Sequence, residues 1–161
     1  MKKILSIFLV LATMLAMCVS LVACGGPKPQ LDLKKAGKAL EKNGYYVSIT
    51  DGEDFWWEEL GYALEGTLYA SEEDGDNYIR IYEFKTAKAA KLYYNYIKMD
   101  YGKGSASYKA GKRLLNKYGK DMDKEDRKDL EDYLEEMEEE ICGRSGRFVW
   151  YGTKDAAKDS K

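Results

Sequence analysis

The side chains that most often carry out catalysis are scarce in this chain. It contains no histidine, three cysteines, and 28 aspartates and glutamates among 161 residues. Without histidine, Ser-His-Asp and Cys-His catalysis and imidazole metal sites are excluded. Three cysteines cannot form a four-cysteine zinc site, and no glycine-rich phosphate-binding motif occurs. Paired carboxylates could still act as acid and base, but we expect a protein that binds, without a cofactor or a metal.

An aromatic cluster, Phe55-Trp56-Trp57, is the most unusual sequence feature with binding potential. It lies in a stretch without helical or strand periodicity. Acidic residues flank it on both sides, namely Glu53, Asp54, Glu58 and Glu59. An exposed indole offers a flat apolar face to a sugar ring, a cation or a protein partner. Trp56 and Trp57 are therefore the candidate binding residues. The alternative, which the usual burial of large aromatic side chains favours, is that both close the core.

Three further patterns permit binding, and each has a simpler interpretation that we favour. Fourteen tyrosines could line a cleft for polar ligands, but their positions on helix and strand stripes favour half-buried packing. The acidic loop 72–77 offers oxygen ligands for calcium, but it lacks EF-hand spacing and favours a solvated turn. The acidic helix face of 124–141 favours a solvated surface. Its alternatives are docking of a basic partner or repulsion from anionic lipid.

The first 23 residues have the form of an export signal. Met1-Lys2-Lys3 is basic, and residues 4–23 are uncharged and mostly aliphatic. The stretch ends in Leu21-Val22-Ala23-Cys24, which resembles the lipobox of bacterial lipoproteins. The resemblance implies that a diacylglycerol is attached to the Cys24 thiol and that the chain is cleaved between Ala23 and Cys24. The alternative is an uncleaved helix, because about 20 apolar residues can span a bilayer.

The rest of the chain divides into a tether and one domain. Residues 24–30 contain the lipidated cysteine followed by Gly-Gly-Pro-Lys-Pro-Gln, which predicts a flexible tether. Residues 31–161 are long enough for one hydrophobic core. Because Cys142 is the only cysteine after Cys24, an intramolecular disulfide is not expected. Beyond residue 23 the chain has 24 basic and 28 acidic residues, and this acidic balance argues against nucleic acid as a partner.

Hydrophobic periodicity and capping residues predict an α+β domain. Helices are expected after five N-cap candidates, which are Asp32, Thr86, Ser105, Asp123 and Thr153. The last of these helices is expected to be frayed. Strands are expected at 45–50, 62–70, 78–84 and 147–151, and the second and third of these should form a hairpin. The strand 78–84 is apolar on both faces, so it should lie centrally in the sheet. The element order is therefore α-β-β-β-α-α-α-β-α. We expect a small, mostly antiparallel sheet of about four strands with the helices packed on one face.

These observations predict a location more sharply than a function. We expect a protein attached by its N-terminal lipid to the bacterial cell membrane and facing outward. The leading hypothesis is a binding or interaction module for an envelope protein or a small polar ligand. The alternatives are a structural or assembly protein of the cell envelope, and a carboxylate-based hydrolase that acts on envelope polymers.

Overall fold

The computed structural model describes residues 26–52 and 64–161, which form one antiparallel sheet with helices around it. The strands are β1 Tyr46–Asp51, β2 Leu64–Ser71, β3 Tyr78–Phe84, β4 Glu140–Ser145 and β5 Phe148–Thr153. The helices are α1 Leu33–Lys42, α2 Ala87–Ile97, α3 Ala106–Tyr118, α4 Lys124–Glu139 and α5 Lys154–Asp159. Within these described ranges, no helix is long and apolar enough to cross a membrane.

The sheet has the strand order β1-β2-β3-β5-β4, and each pair of neighbours is antiparallel. This arrangement confirms the α+β class, the hairpin of β2 and β3, and the central place of β3. The described residues hold five strands, where about four were expected. The additional strand is β4, in a stretch that we assigned to the end of a helix and a turn. Gly143 indicated a break there, but it pairs with Trp150 of β5 inside the sheet.

Helices cover both faces of the sheet, so the expectation of a single covered face is wrong. Helices α1 and α5 pack on one face, where Leu40 and Ala156 join the cluster that contains Ile81 and Trp150. Helix α2 packs on the other face, where Tyr93 belongs to the cluster with Tyr82, Val149 and Tyr151. The reason is that β3 and β5 carry large apolar side chains on both faces, and each face needs cover.

All five expected N-cap residues begin a helix. In each case the side-chain oxygen accepts a hydrogen bond from a backbone N–H of the first turn, at Asp32, Thr86, Ser105, Asp123 and Thr153. Helices α3 and α4 pack on each other through a small separate core of Tyr108, Leu134 and Met137. The last helix, expected to be frayed, is fixed in place because Ala156 and Ala157 are fully buried.

Residues 26–30 lie against the domain rather than forming a free tether. Pro29 is buried, and the backbone N–H of Gln30 donates to Ser160 Oγ at 3.1 Å. Lys28 Nζ donates to Ser145 Oγ of β4 at 3.2 Å. The proline and the side-chain partners give this segment contacts that its composition did not indicate.

Candidate functional site

Helix α2 covers only part of its sheet face, and the uncovered part presents a row of polar and aromatic residues. The register aligns Ser48 of β1, Tyr69 of β2, Arg80 of β3 and Tyr151 of β5 across four neighbouring strands. Successive strands are about 4.8 Å apart, so neighbouring side chains in this row can touch. Tyr151 belongs to the core under α2, whereas Ser48, Tyr69 and Arg80 are exposed. The row thus runs from the core to an open surface.

Arg80 is the centre of this surface. Its guanidinium carbon lies 4.9 Å from the centroid of the Tyr69 ring and 5.8 Å from that of Tyr151. Its Nη1 donates a hydrogen bond to the Tyr151 hydroxyl at 3.1 Å. Among the ion pairs of the described residues, none includes Arg80. A guanidinium with five N–H donors is thus fixed between two aromatic rings without a described carboxylate partner.

Buried tyrosines support Arg80 from the side of the core. The hydroxyls of Tyr151 and Tyr82 are 3.2 Å apart and share a hydrogen bond, and the two rings stack with centroids 5.9 Å apart. The ring of Tyr101 also packs on Tyr151, with the centroids 4.3 Å apart. Burial, together with Tyr151, raises the pKa of Tyr82 to about 12 and also raises the pKa of Tyr101. These phenols therefore stay neutral at physiological pH and act as hydrogen-bond partners.

Hydroxyl groups line the other side of the surface. Thr50 and Thr67 pair directly across β1 and β2, and their Oγ1 atoms are 2.5 Å apart. A shallow groove of about 290 Å³ runs between these threonines and the aromatic row. Its lining residues are Ser48, Thr50, Thr67, Leu68, Tyr69, Arg80 and Tyr82. The groove therefore combines one cation, an aromatic face and three aliphatic hydroxyls. This volume is at the lower end for a small-molecule site and suits a ligand with about one ring.

A larger groove of about 610 Å³ lies near the N-terminus of α1, but its side chains are less suited to binding a ligand. Two of its carboxylates already have partners, since Asp32 caps α1 and Glu83 pairs with Arg147 at 2.7 Å. Two others, Asp51 and Glu65, flank the segment 53–63, which lies outside the described residues. We therefore assign the candidate site to the groove beside Arg80.

An acidic groove of about 460 Å³ lies between α4 and the loop that joins β2 to β3. Two of its glutamates have partners, because Glu140 accepts from the Tyr78 hydroxyl at 2.7 Å and Glu139 lies 3.4 Å from Lys154 Nζ. Burial raises the pKa of Glu140. No group of metal-ligating side chains occurs in the described part of the chain. The loop 72–77 thus gives no support for a calcium site.

The structure describes only some of the residues that the sequence indicates as candidate sites. Trp56 and Trp57, and also Ala23 and Cys24, lie outside the described residues. The tyrosines divide between the two interpretations, because some are core residues and others, such as Tyr46 and Tyr69, are exposed. The acidic face of α4 is solvated as expected. Its exposed acidic residues include Glu131, Asp132, Glu135, Glu136 and Glu139.

Arg80 is the functional candidate that sequence reasoning missed. The pattern of 78–84 predicts a strand that is apolar on both faces and indicates no role for its single arginine. The signal was present, because Arg80 interrupts a run of tyrosine, isoleucine and phenylalanine in a strand expected to be central. A central position makes a lone charge informative, since such a charge needs a partner or an opening to solvent. The register that places it beside Tyr69 is a tertiary property.

Comparison with known proteins adds no family to this description. No protein-family model, no curated protein and no solved structure matches the chain.

Proposed function

We propose that the chain is a lipid-anchored binding protein of the bacterial cell envelope, and that its ligand site is the groove beside Arg80. The main support is the exposed Arg80 guanidinium, which is held between Tyr69 and Tyr151 without a described carboxylate partner. Such a group binds an anion through charge-assisted hydrogen bonds. The adjacent Tyr69 ring suits the apolar face of a sugar or another ring. Thr50 and Thr67 add partners for hydroxyl groups. The ligand class is therefore a small, hydroxyl-rich molecule with a carboxylate or a phosphate.

A titration with chosen probes tests the site. Glucuronic acid carries a carboxylate on a sugar ring, and glucose is its neutral counterpart. We expect glucuronic acid to perturb the amide resonances of β1, β2 and β3, and glucose to perturb them much less. Loss of one charge-assisted hydrogen bond costs about 1.5–3 kcal/mol, so Arg80→Gln should weaken glucuronic acid binding by roughly tenfold or more.

Matched variants separate the site from general electrostatics. Arg113→Gln removes an exposed arginine of α3 with the same change in charge, and it should bind glucuronic acid as the unmodified protein does. Tyr69→Ala should weaken both probes, because it removes the ring face. Equal affinity of Arg80→Gln and Arg113→Gln for glucuronic acid would contradict the proposed site.

The anchor is tested separately, at the two cysteines of the first 24 residues. Cys24→Ser should release the protein from the membrane fraction or leave it unprocessed, because the serine hydroxyl cannot take the place of the thiol. Cys18→Ser is the matched control and should leave membrane attachment and the mass of the mature protein unchanged. A mature protein of unchanged mass that stays membrane-bound after Cys24→Ser would contradict lipidation at this residue.

A further inference from the structure

The near-neutral net charge of the chain conceals two oppositely charged segments. Residues 85–120, which contain α2 and α3, include ten lysines and arginines but only one acidic residue, Asp100. Residues 121–140, which contain α4, include twelve acidic residues and three basic ones. Charge asymmetry of this kind indicates where a charged partner can approach. The basic segment is the surface that the proposed groove does not explain.

The outer side of α2 combines this positive charge with exposed apolar side chains. Leu92 and Tyr96 of α2 and Met99 in the turn after its C-cap have the spacing i, i+4, i+7, which places them on one side. Each of these residues is more than half exposed, at 51%, 57% and 54%. Helix α2 already buries Tyr93, Ile97 and its alanines against the sheet. The apolar stripe on its outer side therefore has no structural role in the core.

Lysines border the apolar stripe. Lys88, Lys91 and Lys98 are exposed on α2 or at its C-terminal end, and none forms an ion pair with a described carboxylate. Lys98 Nζ lies 5.9 Å from the centroid of the Tyr94 ring. A helix face with lysines beside leucine, tyrosine and methionine is typical of a helix that lies in the interface of an anionic membrane. We call the face formed by these six residues, the three lysines with Leu92, Tyr96 and Met99, the α2 face.

The N-terminal segment passes close to β4, the strand at one edge of the sheet. A Cβ at Gly26 would lie 2.2 Å from Cγ2 of Ile141 in β4, so the chain passes close to this edge strand. Helix α2 contacts β4 and β5 from the opposite side of the sheet. Cys24 precedes Gly26 by two residues, a span of at most about 7 Å. A lipid on Cys24 would therefore hold the membrane near β4, on the face of the sheet opposite to α2.

We propose that the α2 face docks on the anionic surface of the membrane. The lysines would contact the phosphates of anionic lipids, and Leu92, Tyr96 and Met99 would enter the interface. The proposal rests on the lipid anchor of the proposed function for its local membrane concentration. Docking has a consequence for the ligand groove, because Arg80 lies on the sheet face that α2 covers. A helix is about 10 Å across, so the groove would open toward the headgroups, recessed by about that distance.

Site-specific fluorescence on the lipidated protein tests the docking. Asn95→Cys places one accessible thiol on the exposed side of α2, and Glu135→Cys places one on α4 as a reference. Cys142 is buried, so an environment-sensitive dye labels the introduced cysteine selectively. Each labelled protein is reconstituted into vesicles of phosphatidylcholine and into vesicles that also contain phosphatidylglycerol. We expect a blue shift of the Asn95→Cys label with phosphatidylglycerol only, its reversal by salt, and no shift of the Glu135→Cys label.

Charge reversal supplies the matched comparison. Lys88→Glu, Lys91→Glu and Lys98→Glu together should lower the docked fraction in phosphatidylglycerol vesicles by about tenfold or more. The same change in charge on α1, by Lys34→Glu, Lys38→Glu and Lys42→Glu, should leave docking unchanged. Equal loss in the two triple variants, or equal emission in the two kinds of vesicle, would overturn the proposal.

Two further results of the labelling experiment distinguish membrane docking from a protein partner and from failure of the anchor. A shift of the Asn95→Cys label caused by polyglutamate and not by phosphatidylglycerol would overturn membrane docking in favour of an acidic protein partner. Failure of the anchor would be visible independently, because the unlipidated protein would not stay with phosphatidylcholine vesicles. Phosphatidylglycerol vesicles would then still report binding by the α2 face.

Discussion

Gly143 of β4 lies directly opposite Trp150 of β5, and the indole occupies the space that a side chain at position 143 would need. A Cβ at this position would lie 2.3 Å from Cζ2 of Trp150, which is itself almost completely buried. Gly143→Ala should therefore force the ring or the strand to move. We expect the free energy of unfolding to fall by about 1–3 kcal/mol, the usual range for overpacking. Denaturant unfolding followed by circular dichroism measures the change.

A second substitution shows whether the indole is the cause. In a Trp150→Phe background the smaller ring leaves room, so Gly143→Ala should destabilise the protein less than it does beside tryptophan. The difference between the two effects is the coupling energy of a double-mutant cycle. A coupling energy near zero would show that the glycine is needed for another reason, such as its backbone conformation.

The same pair shows which parts of the fold could be predicted from the sequence. The N-caps were correct because a cap is a local interaction between a side chain and the next turn of the chain. Strand β4 was missed because a glycine at position 143 is typical of a helix end. The place of Gly143 in the sheet depends on Trp150 of the next strand. The covered faces were also missed. Which face a helix covers is decided by contacts between distant segments, and α1 and α2 pack on opposite sides.

The candidate site also combines features that the sequence shows with features that depend on tertiary structure. The sequence shows an arginine in a strand and tyrosines in neighbouring strands, but the alignment of Tyr69 with Arg80 depends on the register of β2 and β3. The register is a property of the pairing and its turn, and a shift by one residue would move Tyr69 to the other face. The groove beside Arg80 could therefore be found only once the strands were paired.

Glu138 of α4 contacts α3 and the loop that precedes α3, and these contacts should make the stability of the protein sensitive to acid. Its carboxylate accepts a hydrogen bond from the Tyr108 hydroxyl and lies 3.0 Å from Lys103 Nζ and 3.6 Å from Lys112 Nζ. The Tyr108 hydrogen bond and then Lys103 lower the pKa of Glu138 to about 2. Because the pKa is lower in the folded protein, the stabilisation is complete above the ordinary value near 4.5. It is lost as the pH falls toward 2.

The measurement is the free energy of unfolding between pH 7 and pH 2. Glu138→Gln should lower this free energy at pH 7 and flatten its decline below pH 4.5. Glu135→Gln changes an exposed carboxylate of the same helix and should leave the acid dependence almost unchanged. An equal flattening in both variants would mean that the general charge of α4, rather than the contacts of Glu138, controls acid sensitivity.

The Cys142 thiol should not react with thiol reagents in the folded protein. Its side chain is 1% exposed within the core under α2, and its thiol lies 3.8 Å from the backbone carbonyl oxygen of Tyr101. In a variant with Cys18→Ser and Cys24→Ser it is the only thiol. We expect a water-soluble maleimide to modify it at the rate at which the core opens, and rapidly in denaturant. Rapid reaction without denaturant would contradict the burial of this strand.

Ser160 fastens the N-terminal segment to the end of the chain and gives a test of how 26–30 are held. Its fully buried hydroxyl accepts from the Gln30 N–H at 3.1 Å and donates to the Ala157 carbonyl at 2.9 Å. Ser160→Ala leaves the Gln30 donor unpaired, so the unfolding free energy should fall by about 1–2 kcal/mol.

Ser145→Ala is the matched control for this loss. Its hydroxyl accepts from Lys28 in an exposed hydrogen bond, which water can replace, so the cost should be within about 0.5 kcal/mol. Amide exchange at Gln30 should accelerate in Ser160→Ala and stay nearly unchanged in Ser145→Ala. Fast exchange at Gln30 in the unmodified protein would contradict the fixed position of residues 26–30.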